Sequence, residues 1–353
     1  MGANPTRVVV ADDSGFMRRL LTQALEKSGF DVVAVAKDGD EALAACERHE
    51  PDTMTLDLAM PGLDGIGVLR ALKRVGGSGP RLPVVVVSAF SPAHGARAVD
   101  ALAEGAFELV AKPAAGEPID TFVAELAEKV TAAAASGKRA RPVAPRRAAR
   151  PPAGPPRPRP AGTSAAGRKV VLIACSTGGP KALAELVPNL PSPLGAGSMI
   201  VQHMPAGFTQ SLAQRLDRAS PLTVREAEDG APLGPEVLLV APGGSHLRLD
   251  RDRVARLSDA PAIGGLRPRA DLTIKDAAEL FGRRLVLVVL TGMGKDGLDG
   301  AVEVKRHGGR VLAEDESTCT VYGMPRAVVE ADLADVVLPL GELPAAIVAE
   351  VGA

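Results

Sequence analysis

The stretch from Thr131 to Arg168 cannot build a core: prolines from Pro142 to Pro160 alternate with arginines from Arg139 to Arg159. Each proline fixes φ and lacks a backbone donor, and the arginines repel one another and hold water. The segment therefore reads as an extended, positively charged tether with polyproline character. It divides the 353-residue chain into two pieces, each long enough to bury its own core. The expected limits are a first domain over 1–131, a linker over 132–168 and a second domain over 169–353. The formal net charge of -1 means that acidic residues elsewhere balance the basic stretch. No nucleic-acid motif accompanies it, and with 2% aromatics and no Trp the chain has little on which to stack bases, so nucleic acid is not an expected partner.

Both flanking regions alternate short aliphatic runs with amphipathic stretches, the pattern of parallel sheets covered by helices. The first has strands expected near Arg7–Val10, Val32–Ala36, Thr53–Leu56, Val84–Val87 and Phe107–Val110. The second repeats the pattern at Val170–Ala174, Ser198–Val201, Leu222–Glu226, Val237–Val240, Leu285–Leu290, Arg310–Ala313 and Val336–Leu338. The expected class is α/β: a flavodoxin-like unit followed by a doubly wound, mostly parallel domain. In such folds the chemistry gathers at the carboxyl ends of the strands. Cys46, Cys175 and Cys319 are scattered without a C-x-x-C pair, so neither a disulfide framework nor a zinc knuckle is indicated. The aliphatic runs are too short to span a bilayer, and no basic-then-apolar leader opens the chain. A cytoplasmic protein without membrane insertion is expected.

In the first region Asp12 and Asp13 follow the first strand, Asp57 the third, Ser88 the fourth and Lys112-Pro113 the fifth. Three carboxylates on one sheet edge repel one another unless a divalent cation compensates them, and hard oxygen ligands select Mg²⁺. With the metal bound, Asp57 can attack a phosphoryl group while Lys112 and the Ser88 hydroxyl contact its oxygens. Taken singly, the aspartates read as helix caps, Lys112 as a surface charge and Ser88 as a turn residue. Their placement at four strand ends, with Asp57-Leu58-Ala59-Met60-Pro61 and Asp64-Gly65 beside them, reverses that. The region resembles the receiver domain of bacterial response regulators. The resemblance implies that Asp57 is the phosphoacceptor, that Asp13 is a direct metal ligand beside Asp12, and that Ala59 lends a backbone carbonyl to the metal. Receivers commonly carry an aromatic residue where this chain has Leu109; Phe107, two residues earlier, is the candidate to share its face.

In the second region Cys175-Ser176-Thr177-Gly178-Gly179-Pro180 turns from strand into helix, placing Ser176 where glycines admit a substrate and free amides can hold an oxyanion. A serine hydroxyl needs a base. Of five histidines His203 is the best placed, directly after a strand, and His49, His94, His246 and His307 are weaker candidates. Asp296, in the glycine-rich loop after Leu285–Leu290, fits as the carboxylate that orients the imidazole. Spacing alone leaves other readings open: a cap for Ser176, a structural role for His203, a nucleotide loop for Asp296, and Cys175 as a rival nucleophile.

The segments around Ser176, His203 and Asp296, together with Ala241-Pro242-Gly243-Gly244-Ser245-His246, Arg267-Pro268 and Tyr322-Gly323-Met324-Pro325, resemble the catalytic domain of chemotaxis protein-glutamate methylesterases. The resemblance runs from Lys169 to Leu340 in the family's order. It implies a Ser176–His203–Asp296 triad, an oxyanion site at the backbone amides of Thr177 and Met293, and no cofactor for the esterase. The implied substrates are glutamate 5-O-methyl esters, and in many members glutamines, on methyl-accepting chemotaxis receptors, with a histidine kinase as phosphodonor. Two rivals stand beside it: a non-catalytic regulator that binds a partner, and a serine hydrolase for another ester.

Overall fold

The structure is a computed structural model and describes residues 4–75, 82–89, 92–113, 119–139 and 168–352; most of the expected tether, 140–167, lies outside them. Valine-rich runs form β1 (Arg7–Ala11), β2 (Asp31–Ala36), β3 (Thr53–Leu56), β4 (Val84–Ser88) and β5 (Glu108–Ala111), all parallel in the order β2-β1-β3-β4-β5. Such runs suit a sheet covered on both faces. The cover is α1 (Gly15–Lys27), α2 (Gly39–His49), α3 (Gly65–Val75), α4 (Pro92–Ala103) and α5 (Ile119–Arg139). Side chains cap the first two: Ser14 accepts from the Met17 amide and Asp38 from the Glu41 amide. Helix α5 runs on past Thr131 because the alanines from Ala132 to Ala135 favour helix and the first proline comes only at Pro142.

The second sheet contains β6 (Val170–Cys175), β7 (Ser198–Gln202), β8 (Thr223–Glu226) and β9 (Val237–Val240). A separate antiparallel hairpin follows, β10 (His246–Leu249) with β11 (Ala255–Ser258). The sheet is completed by β12 (Leu285–Val289), β13 (Arg310–Glu314) and β14 (Val336–Leu338), and its order is β14-β13-β12-β6-β7-β9-β8, every pairing parallel. Helices α6 (Gly179–Leu186), α7 (Phe208–Ala219), α8 (Ala270–Phe281), α9 (Leu298–Arg306), α10 (Met324–Glu330) and α11 (Leu343–Val351) accompany it. The chain starts at the centre with β6, builds outward through β7, then returns to β12 on the other side. That reversal opens a crevice at the carboxyl ends of β12, β6 and β7. The first sheet reverses in the same way between β1 and β3.

The two units touch through α4 and α7. A Cβ on Gly95 would stand 3.0 Å from Ser211 Oγ and 3.2 Å from the Gly207 carbonyl, so the helices meet closely where the side chain is missing. Asp100 pairs with Arg215 across the seam. One apolar cluster takes in Val99 and Leu102 from α4 and Phe208 and Leu212 from α7. Val321 of the second unit packs against the cluster of the first that holds Phe107 and Val110.

Two candidate active sites at strand ends

In the first unit the expected residues do converge. Carboxylate oxygens of Asp12, Asp13 and Asp57 lie within 4.8 Å of one another. Lys112 Nζ stands 2.8 Å from Asp57 Oδ2 and 2.7 Å from Asp12 Oδ2. Burial pushes the Asp12 carboxyl up despite Lys112, and the charge of Asp57 adds to it. Burial pulls Lys112 down, yet hydrogen bonds and charge from Asp12 and Asp57 outweigh it and hold the ammonium above its ordinary value. Two polar atoms here are buried with hydrogen-bonding capacity to spare: Asp12 Oδ2, whose partner is the Lys112 ammonium, and the Ser88 hydroxyl, which has no hydrogen bond. Buried groups of this kind ordinarily find partners. A hard divalent cation on the aspartates and a phosphoryl oxygen at Ser88 would satisfy both, so these residues fit Mg²⁺. The Ala59 amide donates to Asp57 Oδ1 at 3.3 Å.

Leu109 is buried among Met54, Leu56, Val84 and Val86. Phe107 does not share that face. It precedes β5 as a bend residue, outside the strand's alternation, and packs on the other side with Val8, Val10, Val85 and Val87.

In the second unit Ser176 follows β6, His203 follows β7 and the Asp296 loop follows β12, three adjacent strands. His203 Nε2 lies 2.7 Å from Asp296 Oδ2. A carboxylate only accepts, so Nε2 carries the proton and Nδ1 keeps the basic lone pair. Asp296 is saturated with donors: the Ala270 amide at 2.7 Å, the Asp271 and Gly297 amides at 3.0 Å each, and Arg269 Nε at 3.1 Å. The first two open α8, where the helix dipole also favours negative charge. Burial pushes the Asp296 carboxyl up, but the His203 hydrogen bond and charge, with the contribution of Asp271, hold it well below the usual carboxylate range.

Sequence reading missed the support behind this carboxylate. Asp271 accepts from the Gly297 and Gly300 amides and pairs with Arg269 at 2.8 Å, and burial followed by the charge of Asp296 pushes its carboxyl up. His246 is buried and holds the Arg269 segment: Nδ1 accepts from the Arg269 amide and Nε2 faces the Pro261 carbonyl. Both of its ring nitrogens are therefore engaged, and it is not a rival base.

The Ser176 turn is tight. Gly178 has φ +81°, and a Cβ on Gly292 would come within 2.8 Å of Ser176 Cβ, so only glycine leaves Ser176 its place. Among the described residues the Ser176 hydroxyl makes no direct hydrogen bond to His203, and the backbone amides of Thr177 and Met293 have no acceptor. Cys175 is buried, its thiol pushed up by burial and by the charge of Glu314, which leaves it a packing residue.

Residues 171–347 match the CheB methylesterase family, and residues 8–124 match the response regulator receiver domain. A protein-glutamate methylesterase/protein-glutamine glutaminase of Symbiobacterium thermophilum is 44% identical, over 99% of this chain and 98% of the relative. A protein of the same description from Thermotoga maritima is 40% identical over 96% of each. The crystal structure of the Thermotoga maritima CheB methylesterase catalytic domain superimposes with a TM-score of 0.51 at 47% identity, covering 52% of this chain and 98% of that one. With its central switch-point crevice and the receiver ahead of it, the chain belongs to the CheB methylesterase family.

Proposed function

We propose that the chain hydrolyses glutamate 5-O-methyl esters on methyl-accepting chemotaxis receptors to glutamate and methanol, deamidates receptor glutamines at the same site, and is controlled by phosphorylation of Asp57. The observation that carries the esterase reading is the 2.7 Å His203–Asp296 pair beside the Ser176 turn, with the Thr177 and Met293 amides uncommitted. Ser176 Oγ attacks the ester carbonyl while His203 Nδ1 takes its proton. Asp296 holds the tautomer and stabilises the imidazolium. The oxyanion is received by the Thr177 and Met293 amides, donors aimed where charge develops. His203 returns the proton to the leaving methoxide. A water, deprotonated by the same nitrogen, then cleaves the acyl-enzyme and frees Ser176. With an amide substrate, ammonia leaves in place of methanol through a closely related intermediate.

In the receiver the attacking group is Asp57, Lys112 and the Ser88 hydroxyl receive the phosphoryl oxygens, and Asp12, Asp13, Asp57 and the Ala59 carbonyl would hold Mg²⁺. The metal supplies compensation for the carboxylates and for charge on the transferred group. A cytoplasmic histidine kinase is the phosphodonor. A tether between the end of α5 at Arg139 and the second domain at 169 lets the receiver leave the esterase without unfolding either.

The test is methanol release from purified methylated receptor membranes. Ser176→Ala lowers it by at least about 10⁴-fold while Asp57 still accepts phosphate. Methanol release surviving in that variant removes the triad. Activity on small esters with none on receptor glutamates makes the chain a hydrolase for another ester.

A further inference from the structure

Ser176 and His203 sit one residue beyond the last paired positions of β6 and β7, where Cys175 stands opposite Gln202. Past that point one backbone bond joins the two turns, from the His203 amide to the Cys175 carbonyl at 3.1 Å, and the structure shows no direct bond between hydroxyl and imidazole to set their spacing. One side chain adds two further links. Gln202, itself fully buried, donates from Nε2 to the Ser176 carbonyl at 3.0 Å and to the His203 carbonyl at 3.0 Å. Its Oε1 accepts from the Cys175 thiol at 3.1 Å. Carbonyls only accept, so the amide can be oriented in one way, and both of its N–H groups are used. The neighbouring helix start is shaped around it: a Cβ on Gly179 would come within 2.0 Å of Gln202 Oε1.

From this geometry we infer that Gln202 is a positioning residue for the hydrolysis, an amide clasp that joins the nucleophile turn to the base turn and fixes the distance between Ser176 and His203. The inference rests on the triad reading above. Nucleophile and base are carried by different strand ends, so a small drift of one turn against the other separates them, and misplacement of about 1 Å costs on the order of 100-fold in rate. The clasp acts on the spacing of the two turns and, fully buried, offers no surface to a substrate. Its loss therefore falls on kcat, with KM little changed.

Three full-length variants test this on methylated receptor membranes, each with a thermal unfolding curve. Gln202→Met keeps the shape and removes both donors; kcat falls about 10- to 100-fold with KM within about twofold, and Asp57 still accepts phosphate. Gln202→Glu adds a readout that simple loss of stability does not give. A neutral carboxylic acid can donate one O–H to one carbonyl, whereas the carboxylate can donate none and faces two oxygens. The ratio of its kcat to that of the wild type therefore rises as pH falls. Gln202→Met with wild-type kcat, or a Gln202→Glu ratio that is flat with pH, overturns the clasp. Ser176→Ala separates the two failures: if it is dead while Gln202→Met is fully active, only the clasp is wrong, and if it is active, the triad and the clasp fall together.

Discussion

Both sites are built at the reversal point of a parallel sheet, and each centres on a buried aspartate, yet the two carboxylates are treated in opposite ways. Burial drives the Asp12 carboxyl up, and Lys112 does not offset it. The Asp296 carboxyl is nearly as enclosed and is driven down, because the hydrogen bond and charge of His203, with the side chain and amide of Asp271, outweigh its burial. Burying a charge is tolerable only when its partners are in place. The esterase site contains its own partners. The receiver site does not, and under the proposed function an arriving cation would complete its compensation.

The contrast breaks most sharply under metal removal. With EDTA in place of Mg²⁺, labelling of Asp57 by a small acyl phosphate falls to background, as it does in Asp57→Asn, while hydrolysis of a small ester by the unphosphorylated chain is unchanged within about twofold. Esterase activity lost in parallel with labelling would mean that the second site is not self-contained.

Next in size is the carboxylate that the protein does saturate. Asp296→Asn keeps the shape but presents an amide to His203, so the wrong tautomer is favoured; kcat drops by about 10⁴-fold. A loss of less than about tenfold would show that the donors around Asp296 serve folding and not orientation.

A smaller effect belongs to the seam between the units. Helix α7 continues directly from the His203 loop, and Val321, whose carbonyl accepts the Gly292 amide, touches the receiver. The receiver therefore rests on two segments that flank the esterase crevice. Asp100→Lys sets like charges against Arg215. The pair is exposed and worth at most about 1 kcal/mol, so basal demethylation of receptor by the unphosphorylated chain rises no more than about fivefold. A small ester responds less, because steric cover bears on the large substrate, and Arg215→Glu in the same chain restores the seam. If both substrates slow down in Asp100→Lys, the receiver activates the esterase by contact.

How much of this was legible follows from what each residue does locally. The strands announce themselves as aliphatic runs, and Asp12, Asp57, Lys112, Ser176, His203 and Asp296 were readable because each follows such a run. The β10–β11 hairpin was overlooked although Leu247 and Leu249, then Ala255 and Leu257, alternate around a turn at Arg253 with φ +63°. There the signal existed and was short. Gln202 gave one faint cue, an amide ending the otherwise apolar run Ser198–Val201. Asp271, Arg269 and His246 gave none, since the bonds that tie His246 to the Arg269 amide and Asp271 to the Asp296 loop span 23 to 29 positions of chain. The helix past Thr131 was hidden by the tether's composition, which begins to change before the helix ends.

The smallest effect concerns Glu314, a buried acid at the end of β13 that has fewer donors than Asp296. It accepts from the Thr291 amide at 2.8 Å and from the Thr318 hydroxyl at 3.0 Å. Here burial wins and pushes the carboxyl up, with the charge of Glu185 adding to it. A folded value above the unfolded one means that the native chain holds the proton more tightly. Stability therefore rises as pH falls through the folded value, levels off below the unfolded one, and is lost as pH climbs back. Glutamine keeps an oxygen for the Thr291 amide, turns its NH₂ toward the Thr318 hydroxyl, which can accept, and carries no charge to bury. Urea unfolding of a 169–353 fragment should find Glu314→Gln more stable than the wild type at pH 8 by on the order of 1 kcal/mol, with the gap closing as pH approaches 4. Glu314→Ala leaves the buried Thr291 amide unpaired and is less stable at both ends. A glutamine variant weaker at pH 8, by a margin that pH does not alter, would mean that Glu314 is held as tightly as Asp296 and that the contrast between saturated and unsaturated carboxylates stops at the receiver.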